Sequence, residues 1–276
     1  RDRDDGGGGG GGEVGGGGEE QAADPLPERI DLKGVVRDFR ERSVEGGHPD
    51  MELKPTAGFG HYCGNVSSTL PDDGNPAFTG LGFKVNTPWK DSSGRPICWA
   101  LFDPARGDSG GTHGVSDSGG ITSASSFAMW FDDVPGVNMS APLTLSLRLQ
   151  DNGTYVFDDK EDPLYEQLDG FFPIEDQLFG NSDGDPDRNF HFTYEIHAEF
   201  VYDASQPQIF EFIGDDDVWV YIDGRLVIDL GGVHWAMNQY VDLSRLNLTH
   251  GETYTLDFFF AERHRTQSNF RIQTNL

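Results

Sequence analysis

FEFIGDDDVWVYIDGRLVIDLGGVH, residues Phe210–His234, carries the clearest β-sheet signal of the chain. Apolar and polar residues alternate in Val218–Ile222 and again in Leu226–Leu230, which is the period of a half-buried strand. Asp223-Gly224 separates these runs, and this dipeptide is typical of a type I′ turn because both central residues need positive φ. The stretch therefore predicts a hairpin preceded by a strand that ends at three consecutive aspartates.

Strand patterns recur on both sides of this hairpin. They occupy Leu143–Leu149, Asn189–Tyr202, Thr253–Phe260 and Phe270–Leu276. The chain has no convincing amphipathic helix, and turn residues separate the strand-like runs. Many short strands joined by turns indicate an all-β sandwich or barrel.

Several longer motifs accompany the aspartate triplet. They are FFPI at Phe171–Ile174, NFHFTYEIHAEFVY at Asn189–Tyr202, DLGGVH at Asp229–His234, LDFFFAERH at Leu256–His264 and SNFRIQT at Ser268–Thr274. In this order and spacing they resemble the fibro-slime domain family, a branch of the lectin-like β-sandwiches named after anthrax protective antigen. VVRDF at Val35–Phe39 is similar to the family's opening strand. The resemblance implies an antiparallel, protective-antigen-like β-sandwich with long loops, in extracellular fibrous or adhesive surroundings.

The aspartate triplet is the candidate metal site. Asp215, Asp216 and Asp217 crowd three carboxylates together, and like charges repel unless a cation or hydrogen-bond donors neutralise them. Calcium is the natural cation because it prefers several oxygen ligands. A solvated acidic turn is the simpler alternative. We expect Asp223 and His234 to lie beside any ligand of this site.

The family resemblance adds a role for two of these aspartates. In lectin-like relatives, including yeast flocculin adhesins, an Asp-Asp pair at the corresponding loop chelates calcium and reaches sugar hydroxyls. The resemblance puts that pair at Asp215 and Asp216. Asp217 stands where the relatives commonly have glycine, so it either joins the metal, caps the turn or fills space that a sugar would use.

Composition bounds the function. The chain has 47 acidic and 20 basic residues and a formal net charge of −27, which disfavours nucleic acid as a partner because phosphate binding needs a basic surface. No apolar run approaches the roughly 20 residues of a membrane span. The sequence opens at Arg1 without a signal peptide, so we expect the processed form of a secreted protein.

Glycosylation motifs and cysteines fit the same extracellular setting. N-glycosylation sequons begin at Asn65, Asn138, Asn152 and Asn247. Four sequons favour a secreted protein with glycans on its loops. In an oxidising compartment Cys63 and Cys98 are expected to form a disulfide, the alternative being two buried free thiols.

The N-terminal segment differs from the remainder in composition. Residues 1–29 form a Gly-rich extended arm, and residues 30–276 form the predicted sandwich domain, loop-rich over 40–126 and strand-rich over 127–276. Glycine permits close backbone approach, so we expect the arm to dock on a neighbouring subunit, with the strand at Ile30–Phe39 completing that neighbour's sheet. The alternative is an arm lying along its own domain.

Catalysis has little support in the sequence. Gly107–Gly111 copies the nucleophile motif of chymotrypsin-like proteases, but no matching histidine context precedes it. Arg263 beside Glu262 reads as a structural ion pair. We therefore expect no enzyme, because no complete set of nucleophile, base and stabilising group can be named.

These observations predict a secreted structural subunit of an extracellular fibril or matrix, which polymerises when its N-terminal arm docks on a neighbouring copy. The alternative is a calcium-dependent carbohydrate-binding module of an adhesin. Its partners are then glycans, and Ca²⁺ is its cofactor.

Overall fold

A computed structural model describes residues 25–276, which contain thirteen β-strands and two short α-helices. The strands are β1 (Arg29–Phe39), β2 (Tyr62–Cys63), β3 (Gly82–Thr87), β4 (Thr112–Asp117), β5 (Asn138–Leu149), β6 (Tyr155–Asp158), β7 (Phe192–Val201), β8 (Ile209–Gly214), β9 (Asp217–Ile222), β10 (Arg225–Leu230), β11 (Met237–Asp242), β12 (Thr253–Glu262) and β13 (Phe270–Thr274). The helices are α1 (Ala124–Phe127) and α2 (Pro163–Leu168). The all-β prediction is confirmed.

Ten strands form one antiparallel sheet in the order β10-β9-β12-β7-β1-β5-β6-β13-β8-β11, and β2-β3-β4 form a second, smaller sheet. The large sheet curls until its two end strands meet. Asp229 on β10 donates its backbone N–H to the side chain of Gln239 on β11 at 2.8 Å, and that side chain donates back to the Asp229 carbonyl at 3.0 Å. The two halves of the curled sheet thus face each other as a sandwich.

Aromatic rings fill the space between the halves. Phe270 on β13 lies 4.3 Å from Phe171, 5.1 Å from Phe260 on β12 and 5.2 Å from Phe212 on β8, measured between ring centroids. All four side chains are fully buried. Burial of such large rings, in edge-to-face and offset contacts, is the main stabilising term of this core.

The hairpin predicted from Asp223-Gly224 is confirmed. Ile222 pairs with Arg225 across a two-residue turn in which Asp223 has φ 51° and Gly224 has φ 70°. These are the two positive φ angles that a type I′ turn requires. The turn fixes the register of β9 and β10, and with it the position of the aspartates that precede β9.

The strand β9 is buried on both faces rather than on one. One face lies in the sandwich, and the other is covered by the segment before β5 that includes Trp130, whose ring lies 6.1 Å from that of Trp219. Phe131 covers the next strand in the same way, 5.0 Å from Phe259. The long loops before β5 therefore cover one face of the large sheet.

The strand predicted to complete a neighbour's sheet pairs within its own chain. β1 lies between β5 and β7, with Ile30 opposite Leu147 and Val36 opposite Tyr194. β5 pairs with the whole of β1, and β7 pairs with Gly34–Asp38. The predicted strand addition by Ile30–Phe39 is therefore wrong for Gly34–Asp38, whose two edges are both hydrogen-bonded within the chain. Most of the predicted N-terminal arm, residues 1–24, lies outside the described residues.

The predicted disulfide is also wrong, because Cys63 and Cys98 are buried free thiols. The Cys63 thiol donates to the Asp229 carbonyl at 3.4 Å and lies 3.1 Å from Nε2 of His61. Burial raises the pKa of both thiols, which keeps them protonated. Within residues 25–276, no helix has the length and apolarity to cross a membrane.

Candidate functional site

The candidate site is a cleft at the end of the sandwich where β8 passes into β9. Asp215 and Asp216 form this link, and the peptide between them is cis. The cleft has a volume of about 230 Å³ and is lined by both aspartates, His234, Trp235 and Phe59. The structure therefore brings together the predicted residues Asp215, Asp216 and His234.

Asp217 does not belong to this cleft, which corrects the predicted three-carboxylate metal site. Successive side chains of an extended chain point to opposite sides, so Asp217 turns away from Asp216. Its carboxylate accepts hydrogen bonds from Nε of Arg263 at 2.5 Å and from the backbone N–H of Gly232 at 2.5 Å. Asp217 is a structural residue whose charge is already neutralised.

Arg263 is paired with Asp217, so the predicted ion pair between Arg263 and Glu262 is wrong. The guanidinium is fully buried and also donates to the backbone carbonyls of Gly119 at 2.6 Å and Gly120 at 3.1 Å. These bonds tie β12 to the loop-rich region. Adjacent residues on a strand face opposite sides, which is why Glu262 cannot share this contact.

Asp215 and Asp216 carry hydrogen bonds but no ion pair within residues 25–276. Asp215 accepts from the backbone N–H of Asn269 at 2.7 Å and from its side-chain amide at 2.8 Å. Asp216 accepts from the backbone N–H groups of His234 at 3.2 Å and Arg263 at 3.4 Å. Burial raises the pKa of both carboxyls, and for Asp216 the charge of Asp215 raises it further.

Glu262 is a third acid at this site that sequence reasoning missed. Its side chain is fully buried, and Oε2 has no hydrogen-bond partner among the described residues. Burial raises its pKa well above the usual range, with Asp216 and then Asp215 adding to the effect. The signal was present in the sequence, since alternation along β12 puts Glu262 on the face opposite Arg263.

The donor set of this cleft fits a hard cation. Two buried carboxylates without a countercharge are costly, and a divalent ion between them removes that cost. Asp215 and Asp216 offer carboxylate oxygens, which are the ligands that a hard cation prefers. Oε2 of Glu262 is a further buried oxygen without a hydrogen-bond donor among the described residues.

Two exposed aromatic side chains stand at the rim of the same cleft. Trp235 is 65% exposed and Phe59 is 43% exposed, although large apolar side chains favour burial. The Phe59 ring is held in place by the edge of His264, with centroids 4.9 Å apart. Exposed, positioned rings beside a polar cleft offer flat apolar surface to a ligand.

Glu41, Glu52 and His191 form a second cluster that the sequence did not reveal. Their potential ligand atoms all lie within 4.8 Å of one another. However, Arg265 bonds Glu41 at 2.6 Å, and His191 bonds Glu52 at 2.9 Å. Because cationic and imidazole groups already satisfy these carboxylates, we interpret the cluster as an ion-pair network.

Asp223 is not adjacent to the site. It lies in the hairpin turn at the opposite end of β9, which has six residues. A strand rises about 3.3 Å per residue, so Asp223 lies about 20 Å from the aspartate pair. The predicted role of Asp223 beside the ligand is therefore wrong.

The sequons divide into two classes. Asn65 and Asn138 are buried, and their side-chain amides donate to backbone carbonyls, that of Asp117 for Asn65 at 3.0 Å and that of Asp132 for Asn138 at 2.8 Å. The folded protein has no room for a glycan at either, which corrects the prediction for those two. Asn152 and Asn247 are exposed, and glycosylation there stays a prediction.

The protease-like motif at Gly107–Gly111 is part of a structural loop. The Asp108 carboxylate accepts two hydrogen bonds from Arg245, at 2.7 and 2.8 Å, and its side chain has no exposed surface. Ser109 pairs through its backbone with Lys90. These contacts account for the aspartate and serine of the motif.

The buried Asp217–Arg263 pair gives a stability prediction. Asp217→Asn leaves the Arg263 charge buried and unpaired, so we expect it to lower the free energy of unfolding by about 3–5 kcal/mol. Asp31→Asn, which breaks the exposed pair with Arg29, is the matched control and should change it by less than about 1 kcal/mol. Urea denaturation measures both; equal small losses would contradict the structural role of Asp217.

Comparison with known proteins identifies part of the chain. Residues 149–276 match the PA14 domain family. Protein psiD of Dictyostelium discoideum is 41% identical over 170 residues, which cover 59% of this chain and 32% of psiD. Protein psiI of the same organism is 42% identical over 149 residues, covering 51% of this chain and 19% of psiI. The chain thus spans a third or less of these relatives.

Among solved structures, a PA14 sugar-binding domain from an RTX adhesin aligns with a TM-score of 0.22 and 13% identity, covering 33% of this chain and 48% of the adhesin chain. The narrower assignment to the fibro-slime branch stays a prediction. The antiparallel sandwich is consistent with the match of residues 149–276 to the PA14 domain family.

Proposed function

We propose that the cleft at Asp215 and Asp216 binds calcium and, beside it, the hydroxyl groups of a carbohydrate. One observation carries this proposal: two buried carboxylates and Glu262 share a site in which the described residues supply no paired cation, since Arg263 is committed to Asp217. The match to the PA14 domain family suggests a carbohydrate-binding or adhesion module, so it supports the same proposal.

The chemistry of the site suits this function. Asp215 and Asp216 would hold the ion, and calcium accepts six to eight oxygen ligands, which leaves positions for sugar hydroxyls. The mouth of the cleft is open, and Trp235 stands beside it with an exposed ring for the apolar face of a sugar. Asp217 leaves the sugar space free because its side chain turns to Arg263.

The setting we propose is extracellular, which is the setting that the four sequons led us to expect. Millimolar extracellular calcium would then be sufficient for a site of modest affinity. In this setting the module would attach its protein to glycans on a surface or in a matrix.

Removal of calcium tests the metal site. We expect calcium added to chelator-treated protein to bind measurably in calorimetry and to raise stability, by about 2.7 kcal/mol when its concentration is 100 times Kd. The double variant Asp215→Asn with Asp216→Asn should lose both effects. The matched control is Asp72→Asn with Asp73→Asn, an exposed aspartate pair. Calcium binding that survives in the first variant contradicts the site.

Trp235 separates sugar binding from calcium binding. Trp235→Ala removes the exposed ring but no oxygen ligand, so we expect glycan affinity to fall at least fivefold while calcium affinity stays unchanged. Glycan-array binding in calcium, followed by calorimetry with the best ligand, measures this. Val115→Ala, at another exposed apolar side chain, is the control. A glycan array without any calcium-dependent ligand would refute the lectin function.

A fibril or matrix subunit, the first function predicted from the sequence, is the second function that we propose. Because β1 pairs within its own sheet, the Gly-rich residues 1–24 are the remaining candidate for docking on a neighbour. We expect their deletion to abolish any assemblies of the chain in electron microscopy. Assemblies that persist without these residues would end this proposal.

A further inference from the structure

A second cleft adjoins the proposed calcium site, and we call it the distal cleft. It lies between α2, the residues after β6 and the segment before β13, and its volume is about 590 Å³. Small-molecule sites usually have volumes of about 300–1,000 Å³, so the distal cleft is large enough for a ligand, whereas the 230 Å³ cleft at the aspartates is small.

The two clefts share one wall. Thr266 and Gln267 line both of them and are exposed, so they form a ridge between the clefts rather than a barrier buried in the fold. Asn269 also connects the sites, because it lines the distal cleft while its side-chain amide bonds Asp215 at 2.8 Å. A ligand longer than one sugar residue that starts at the aspartates therefore reaches the distal cleft by crossing this ridge.

The lining of the distal cleft indicates what it binds. Glu166 and Asp169 present exposed carboxylates, and Lys160 and Arg188 present cationic donors. Asp159 also lines the cleft but is buried, and it accepts from the backbone N–H of Phe270 at 3.1 Å. Arg188 is already bonded to Glu175 at 2.9 Å, and Lys160 has no ion-pair partner among the described residues. Sugar hydroxyls can donate to the carboxylates and accept from the amine, so this mixture suits a hydroxyl-rich ligand.

The charge balance also selects against acidic ligands. Three carboxylates face two cations in the distal cleft, and the whole chain carries a formal net charge of −27. Anionic polysaccharides would be repelled by the lining of the distal cleft and by the net charge of the chain. A neutral glycan meets none.

We infer that the distal cleft binds the second and following residues of a neutral oligosaccharide whose first residue lies at the aspartate pair. This inference rests on the proposed function. It makes the ligand a chain of sugars rather than a single sugar, and it gives α2 and the Thr266–Asn269 segment a role in selecting that chain.

The test compares short and long ligands in the presence of calcium. Glucose, mannose and galactose are titrated into the whole chain beside a neutral trisaccharide of each, with trigalacturonic acid as the acidic probe. We expect one trisaccharide to bind at least tenfold tighter than its own monosaccharide, and trigalacturonic acid to bind more weakly than the neutral trisaccharides.

A double variant tests whether the tighter binding of the trisaccharide depends on the distal cleft. Glu166→Ala with Asp169→Asn should remove most of the trisaccharide advantage and leave monosaccharide affinity unchanged. Asparagine is chosen because residue 169 has φ 57°, a conformation that asparagine tolerates. Glu161→Ala, which lies outside the distal cleft, is the control, and an unchanged melting temperature verifies folding.

The outcomes distinguish the two proposals. If a monosaccharide binds with calcium but its trisaccharide binds no tighter, or the double variant keeps the advantage, the distal cleft is not a subsite and the calcium site stands. Tightest binding by trigalacturonic acid overturns the neutral ligand. If no sugar binds, the proposed function and this inference both fail.

Discussion

The buried pair of Asp217 and Arg263 connects the parts of this protein that would otherwise be separate. Asp217 begins β9, Arg263 follows β12, and the guanidinium also bonds the carbonyls of Gly119 and Gly120 in the loop-rich region. Asp217 in turn accepts from Gly232, which precedes the rim residue Trp235. One ion pair thus holds the layer over the sandwich and the loop beside the cleft. Such a pair tolerates burial because each group finds both a countercharge and further hydrogen bonds.

The same pair creates the electrostatic asymmetry of the site. Since Arg263 is used by Asp217, the neighbouring Asp215, Asp216 and Glu262 are buried without an ion-pair partner in residues 25–276. Burial without a countercharge disfavours their ionised forms, and this raises their pKa values. In the proposed function a cation would offset this cost of burial, and the exposed ring of Trp235 would supply apolar surface beside it. The structural role of Asp217 and the proposed binding role of Asp215 and Asp216 therefore differ because their side chains point in different directions.

The sequence predicted those features of the fold that depend only on neighbouring residues. The turn at Asp223-Gly224 and the alternating strands were readable because they depend on φ preferences and on period two. The partner of Asp217 could not be predicted, because Arg263 lies 46 residues away and only sheet pairing brings the two together. The same limit explains why β1 was expected to leave its own sheet and why the buried Asn65 and Asn138 read as glycosylation sites. The role of Glu262 was within reach, because strand alternation separates it from Arg263.

A crystal structure of the protein with calcium would show whether the aspartate pair binds the ion. We predict one ion in contact with carboxylate oxygens of Asp215 and Asp216, while Asp217 keeps its bonds to Arg263 and Gly232. An ion that draws Asp217 away from Arg263 into its coordination shell, or a cleft that holds no ion at millimolar calcium, would contradict it.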